Sequence, residues 1–136
     1  MKKLILIALS CFILCNARMP GPHVREWDGT ESFSKFIKKS EQPIVVKCHA
    51  KWCAPCHRFA PIVQEVAEGK AGELITFISL DIDKFSDIAI KYKVERIPTV
   101  LYFFHGKLID RTGGITSSEN FKNKLRKVFR FQPTDF

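Results

Sequence analysis

Three largely apolar runs predict the strands of a buried sheet. Ile44–His49 is rich in β-branched side chains, Leu74–Ile82 is apolar over most of its length, and Thr99–Phe104 combines Val, Leu and aromatic residues. Continuous apolar runs are typical of strands that are covered on both faces. A shorter strand over Lys107–Arg111 follows the His105-Gly106 turn, so it should form a hairpin with the third run.

Between these runs the apolar residues recur every three or four positions, which predicts amphipathic helices. Thr30 is a suitable N-cap for the first helix, and a Thr-Ser-Ser sequence precedes the last one. Helices and buried strands alternate until the closing hairpin, which favours an α/β fold with a central mixed β-sheet and helices on both faces. The expected helices are Thr30–Lys39, Cys53–Glu68, Ser86–Tyr92 and Ser118–Phe129.

Residues 1–17 have the pattern of a secretory signal peptide. Two lysines precede the apolar run Leu4–Leu14, which is too short to span a bilayer comfortably, and Ala17 offers a small residue for cleavage. An uncleaved membrane anchor is one alternative, and a lipoprotein signal with Cys11 or Cys15 as the lipidated residue is another. We therefore expect an exported protein that is periplasmic or otherwise extracytoplasmic, tethered to the membrane if the signal is retained or lipidated.

The remainder of the chain is expected to form one domain. The 136 residues include 46% hydrophobic and 26% charged residues, a composition that argues against disorder. Residues 18–29 contain two prolines and two glycines and are interpreted as a linker or an extended lead-in strand. The predicted domain spans residues 30–130, and residues 131–136 form a C-terminal tail.

The net charge of +8 does not indicate a nucleic-acid partner. Two of the basic residues lie in the predicted signal, and the rest are scattered apart from a denser stretch at Lys122–Arg130, which we interpret as a solvated helix face. An exported protein also rarely meets nucleic acid. We expect no nucleic-acid binding.

Three cysteines remain outside the predicted signal: Cys48, Cys53 and Cys56. Three thiols cannot form a fully paired disulfide framework, so one pair and one leftover is the simplest arrangement. The Cys53-x-x-Cys56 spacing, placed between a strand and the start of a helix, suits redox chemistry. The helix N-terminus stabilises a thiolate at its first cysteine, and the second lies one turn along, close enough to resolve a mixed disulfide.

These residues resemble the thioredoxin family. Trp52-Cys53-Ala54-Pro55-Cys56 resembles its active-site motif, and Ile97-Pro98-Thr99 resembles its second hallmark, a cis-proline loop opposite the cysteines. Ala60-Pro61, Asp81-Ile82-Asp83 and Gly113-Gly114 also fall in thioredoxin order, so the resemblance covers roughly residues 30–130.

The resemblance implies a thioredoxin fold and a thiol–disulfide oxidoreductase without a cofactor other than its redox-active disulfide. Cys53 would be the nucleophile and Cys56 the resolving thiol. Trp52, Ile97, Pro98 and Gly114 would line the groove that holds a client protein. The implied partners are disulfide-containing or dithiol client proteins and a membrane-embedded redox partner, and the short, insertion-free pattern favours a monomer.

The sequence departs from the family pattern beneath the motif. Lys47 stands where the family usually carries a buried Asp, and the usual lysine partner of that Asp is Ser79. Lys47, His49 and Pro55 are therefore candidates for tuning the cysteine pKa values, since a nearby cation favours a thiolate. Alternatively, a Lys47 desolvated enough to be neutral acts as a base, or Lys47 snorkels to water and has no role. Cys48 is interpreted as an inert core residue, with a third redox cysteine as the alternative.

Other uses of the motif are less well supported. Cys53-Ala54-Pro55-Cys56-His57 also fits the C-x-x-C-H signature of c-type haem attachment, but no other residue is an obvious axial ligand. Zinc needs two further ligands, and the other histidines are scattered singly, so no metal site is expected. A binding module without chemistry would not need both cysteines.

The direction of electron flow has two interpretations. The Ala-Pro dipeptide between the cysteines resembles that of reducing thioredoxins, which favours a reductant. Export to an oxidising space favours the alternative, a disulfide-donating oxidase or isomerase of the same fold.

Overall fold

A central five-stranded sheet organises the molecule. The computed structural model describes residues 23–136, and the predicted signal peptide lies outside them. The elements in chain order are β1 Val24–Glu26, α1 Phe33–Lys39, β2 Ile44–His49, α2 Ala54–Glu68, α3 Ala71–Leu74, β3 Thr76–Asp81, α4 Ser86–Lys91, β4 Thr99–Phe104, β5 Lys107–Gly113 and α5 Ser118–Phe129.

The strand order is β1-β3-β2-β4-β5. β3 pairs in parallel with both β1 and β2, whereas β4 is antiparallel to β2 and to β5. The predicted mixed sheet and the closing hairpin are therefore confirmed. The first strand, β1, lies in the segment that was interpreted as a linker or a lead-in strand.

Helices cover each face of the sheet. Side chains alternate between the two faces along each strand, so each face packs its own set of residues against its own helices. Val46 and Cys48 of β2 face α1 and α4, where Trp27, Phe33 and Phe36 complete one apolar cluster. The opposite face packs against α2 and α5, and its cluster includes Val45, Phe59, Val63, Tyr102, Phe121 and Leu125.

Two predicted boundaries are wrong. Thr30 is not the N-cap of α1, because its backbone N–H and its hydroxyl both donate to the Asp28 carboxylate, and α1 begins after Ser32. The strand predicted from Leu74 begins at Thr76, since residues 71–74 form the short helix α3. Gly72 allows α3 to pack closely against α2: a Cβ at this position would lie 1.9 Å from the Ala67 carbonyl oxygen.

Candidate active site

The two cysteines of the motif lie at the start of α2, after the turn that follows β2. Cys53 is the N-cap of α2, and its Sγ accepts a hydrogen bond from the backbone N–H of Cys56 at 3.2 Å. The two side chains form a disulfide, with Cα atoms 5.3 Å apart. Pro55 occupies the first turn, where a helix makes no use of the missing N–H. The disulfide therefore sits at the positive end of the α2 dipole.

Apolar side chains from three segments surround the disulfide. Cys53 and Cys56 are buried and form a small cluster with Ala50, against which Ile82 and Ile97 pack. Ile97 enters from the loop before β4, so the predicted approach of this loop to the cysteines is present.

The loop before β4 contains a cis peptide bond between Ile97 and Pro98. The carbonyl oxygen of Pro98 accepts a hydrogen bond from the Gly114 backbone N–H at 2.9 Å. Gly114 has a φ of +85°, and a Cβ there would have no neighbour within 4 Å, so its side faces open space. The structure thus brings together three of the four predicted groove residues, Ile97, Pro98 and Gly114.

Trp52, the fourth predicted groove residue, projects into solvent. Its side chain is 70% exposed, and its Nε1 donates to the Asp83 carboxylate at 2.9 Å. Asp83 follows β3 and was noted in the sequence only as part of a family pattern. A hydrogen bond between residues 31 positions apart cannot be seen in the sequence, but it fixes the indole beside the disulfide.

Lys47 is buried in the sheet on the side that faces α2. Only 7% of its surface is exposed, and burial lowers the pKa of its ammonium group, an effect that the Glu26 carboxylate partly offsets. Glu26 of β1 and Lys47 of β2 both pair with Ser79 of β3, so the small serine separates them. The three residues line a cleft of ≈ 320 Å³ with Ala60 and Pro61 of α2.

Glu26 also contacts His49, which lies at the end of β2. The Nε2 of His49 donates to the Glu26 carboxylate at 2.9 Å. Glu26 was missed in the sequence because β1 has only three residues and no readable period. The two candidate tuning residues, Lys47 and His49, thus share a carboxylate neighbour from a strand that the sequence did not delineate.

Cys48 points to the other face of the sheet, away from the disulfide. It is fully buried among apolar side chains below α1 and α4, and it is not disulfide-bonded. Burial raises the pKa of its thiol to about 12. A thiol held protonated is a poor nucleophile, which agrees with an inert core role.

His57, which directly follows Cys56, forms a hydrogen bond with the backbone. The Nε2 of His57 donates to the Lys51 carbonyl oxygen at 2.7 Å, and the sulfurs of the motif are bonded to each other. Within residues 23–136, no group of three or more His, Cys, Asp or Glu side chains is placed to hold a metal ion. The helices in this range are all too short or too polar to cross a membrane.

Comparison with known proteins identifies the family to which this fold belongs. The family model "Thioredoxin" matches residues 26–127. The chain is 34% identical to the mitochondrial thioredoxin of Bos taurus over 101 residues, which cover 74% of this chain and 60% of that protein. It is 41% identical to the chloroplastic thioredoxin Y of Oryza sativa subsp. japonica over 83 residues, which cover 61% of this chain and 49% of that protein.

One further relative and one solved structure are also similar to this chain. A thioredoxin of Mycoplasmoides gallisepticum is 34% identical over 90 residues, covering 66% of this chain and 88% of that protein. The crystal structure of the Malassezia sympodialis thioredoxin superposes with a TM-score of 0.70 at 23% identity, covering 77% of this chain and 92% of that one, which supports the fold. The chain belongs to the thioredoxin family, as its motifs predicted.

Proposed function

We propose that this protein catalyses thiol–disulfide exchange with client proteins through Cys53 and Cys56. The observation that carries the proposal is the disulfide at the N-terminus of α2, packed against the loop that holds Ile97 and Pro98. An N-terminal helix position stabilises a thiolate, and the thiolate is the attacking species in exchange.

The reductive cycle consists of two exchanges. The Cys53 thiolate attacks one sulfur of a client disulfide, a bond forms between Cys53 and the client, and the second client sulfur leaves as a thiolate that takes a proton from solvent. Cys56 then loses its proton and attacks the Cys53 sulfur, which releases the first client sulfur as a thiolate. The client gains two electrons and two protons, and the Cys53–Cys56 disulfide holds the oxidising equivalent.

The two cysteines have separable roles in this cycle. We expect Cys53→Ser to abolish reduction of a disulfide-bonded peptide, and Cys56→Ser to accumulate a stable mixed disulfide through Cys53. Mass spectrometry of each variant after incubation with the peptide measures this. A mixed disulfide on Cys56 in the Cys53→Ser protein, formed as fast as the Cys53 adduct, would contradict the assignment.

We further propose that the protein acts as a reductant in an extracytoplasmic space and is recharged by a membrane-embedded redox partner. The Ala-Pro dipeptide of the motif supports a reductant, and residues 1–17 support export. The equilibrium potential of residues 18–136 against a dithiothreitol or glutathione buffer tests the direction. A value near about −270 mV supports a reductant, whereas one near about −120 mV indicates the alternative, a disulfide donor.

Export is tested separately from chemistry. We expect the protein to appear outside the cytoplasm with an N-terminus at residue 18, and N-terminal sequencing of the fractionated protein measures both. A cytoplasmic protein that still begins at Met1 would refute export and leave the redox proposal intact. We also propose a monomer, which light scattering of the purified protein checks.

A further inference from the structure

A cluster of cations that form no salt bridge lies next to the loop of Ile97 and Pro98, at the edge of the sheet. The loop between α4 and β4 carries Lys93 and Arg96, and Arg111 extends from β5. With Glu95 as their sole acidic neighbour in the lining, these side chains border a cleft of ≈ 330 Å³. The full lining consists of Lys93, Glu95, Arg96, Thr99, Arg111, Thr112 and Gly113.

The cleft adjoins the predicted groove residues through two chain neighbours. Arg96 precedes Ile97, which packs on the cysteines, and Gly113 precedes Gly114, which donates to the Pro98 carbonyl. The Arg96 side chain lies across Gly113, since a Cβ at that glycine would be 3.1 Å from the Arg96 Nε. A client bound over Pro98 would therefore extend past the Arg96 guanidinium.

The loop that carries these cations is fixed in place. The Arg111 Nη1 donates to the carbonyl oxygens of Tyr92 and Lys93, at 2.9 and 3.1 Å. Lys93 has a φ of +52°, a conformation that this clamp helps to hold. The Thr99 hydroxyl donates to the Arg96 carbonyl at 2.6 Å, which fixes the other end of the loop.

The cleft keeps a net positive charge, because its lining holds three cations and only one carboxylate, that of Glu95. The four ion pairs found within residues 23–136 involve Lys39, His49, Lys124 and Arg126, so none of the cleft cations takes part. Lys93, Arg96 and Arg111 are exposed. A cleft with a net positive charge attracts a negatively charged ligand group.

We propose that the cleft of Lys93, Arg96 and Arg111 is a specificity subsite for acidic side chains, Asp or Glu, that flank the reactive cysteine of a client protein. This proposal rests on the exchange function proposed above. A carboxylate that enters the cleft makes charge-assisted contacts with the guanidinium and ammonium groups, and Arg96 offers a planar pair of donors. The subsite would select among clients without taking part in the sulfur chemistry.

Two synthetic peptides test the subsite. Each contains one intramolecular disulfide, and they differ only in carrying two Glu or two Gln residues beside one cysteine. We measure the rate constant with which the reduced protein reduces each peptide, and divide it by the rate constant with dithiothreitol, a small reductant that also attacks as a thiolate. The division removes the effect of the neighbouring charge on the intrinsic reactivity of the disulfide.

We expect the protein to favour the Glu peptide by about two- to fivefold, the range that exposed ion pairs provide. The double variant Lys93→Gln/Arg96→Gln should bring the ratio of the two corrected rates close to one. Lys107→Gln is the control: it removes one exposed cation from β5, at the opposite end of the strand. It should keep the full preference, and added salt should weaken the preference in the wild type.

Three results would overturn the subsite. The corrected rates could be equal for the two peptides, the double variant could keep the preference, or Lys107→Gln could reduce the preference as much as the double variant does. The last result would indicate a general attraction by net charge. If neither peptide is reduced at all, the exchange function itself fails, and the subsite fails with it.

Discussion

At the scale of single residues, Lys47 is the least expected feature of the site. Lys47 as a residue is only 7% exposed, and burial lowers the pKa of its ammonium group. Its nearest carboxylate neighbour, Glu26, is already hydrogen-bonded to His49. A charge at this position therefore has a cost in folding free energy.

Replacing Lys47 by Met keeps the aliphatic stem and removes the charge. We expect the free energy of unfolding to rise by about 1 kcal/mol at pH 7, since a poorly compensated buried charge disappears. We also expect the pKa measured for the Cys56 thiol to rise and exchange to slow, because a cation no longer favours the thiolate. Denaturant unfolding and thiol titration by NMR measure the two effects, with the exposed Lys107→Met as control.

The gain in stability from Lys47→Met should depend on pH. Because the folded state lowers the pKa of Lys47, the unfolded chain holds this proton more tightly, and the penalty is full below the folded-state pKa. It disappears as the pH rises towards 10.5, the value for an unperturbed lysine. If neither the cysteine pKa values nor the exchange rate moves in Lys47→Met, the tuning hypothesis is wrong and Lys47 is only a tolerated core residue.

Cys48 provides a second test that depends on pH, with a different origin. Burial raises its thiol pKa from 9.0 to about 12, so its contribution to stability is full below pH 9 and is lost as the pH rises towards about 12. Cys48→Ala leaves a small cavity and should cost about 1 kcal/mol at pH 7. We expect that cost to shrink or change sign at pH 10.

Denaturant unfolding at pH 7 and pH 10 measures the Cys48 effect. Both proteins should carry Cys53→Ser and Cys56→Ser, so that no thiolate can attack the disulfide during unfolding. A cost that is equal at the two pH values would mean that the thiol ionises in the folded state as readily as in the unfolded chain.

At the scale of secondary-structure elements, the close contact between α2 and α3 depends on Gly72. A Cβ at Gly72 would lie 1.9 Å from the Ala67 carbonyl oxygen, which is backbone and cannot swing aside. We expect Gly72→Ala to reduce the free energy of unfolding by about 3 kcal/mol, the upper end of overpacking effects. Thermal or denaturant unfolding measures the loss.

Gly69→Ala is the matched control for this contact. Gly69 is the C-cap of α2 with a φ of −82°, and a Cβ there would lie 3.5 Å from the Val66 carbonyl oxygen, an ordinary contact. The variant should be neutral or gain up to about 1 kcal/mol, because alanine restricts the unfolded chain. Similar losses at both glycines would show that the contact between the helices is not the cause.

An element could be predicted from the sequence when its apolar pattern was long enough to be recognised. β2 and β4 could be predicted because each has six consecutive residues that are almost all buried. α5 could be predicted because Phe121 and Leu125 repeat at helical spacing. β1 has three residues and a largely exposed pattern, so no period exists to read. Its place in the sheet is set by pairing with β3, which is a long-range property.

The candidate site shows the same difference between features encoded locally and features that depend on long-range pairing. The disulfide and the loop at Ile97 and Pro98 could be predicted from local motifs. The influence of the Glu26 carboxylate on Lys47, and the hydrogen bond of Trp52 with Asp83, join segments about 20 and 30 residues apart and depend on the register of the sheet. Sequence reasoning could point to Lys47 as unusual, but it could not name its carboxylate neighbour.

At the scale of the whole molecule, the last six residues extend the core of one face. Phe131 and Phe136 pack against the cluster below α2 and α5, with their ring centroids 5.3 Å apart. The Nε of Arg126 donates to the backbone oxygen of Phe136 at 2.9 Å. The segment predicted as a C-terminal tail therefore contributes apolar contacts to the domain.

Removing those two rings tests the contribution. We expect Phe131→Ser/Phe136→Ser to lose about 2 kcal/mol of unfolding free energy, roughly half of what burying two such rings completely provides. Thr134→Ala, an exposed change in the same segment, should have little effect in the same unfolding experiment. A double variant as stable as the wild type would mean that the segment does not pack on the domain in solution.

The placement of the two tryptophans gives the molecule two separate optical reporters. Trp52 stands in solvent next to the disulfide, a group that accepts an electron from an excited indole, so its fluorescence should brighten when the bond is reduced. Trp27 is 3% exposed and packs edge-on against Phe33, so its emission should stay constant until the core opens. One emission spectrum can thus follow electron transfer and unfolding independently, without any added dye.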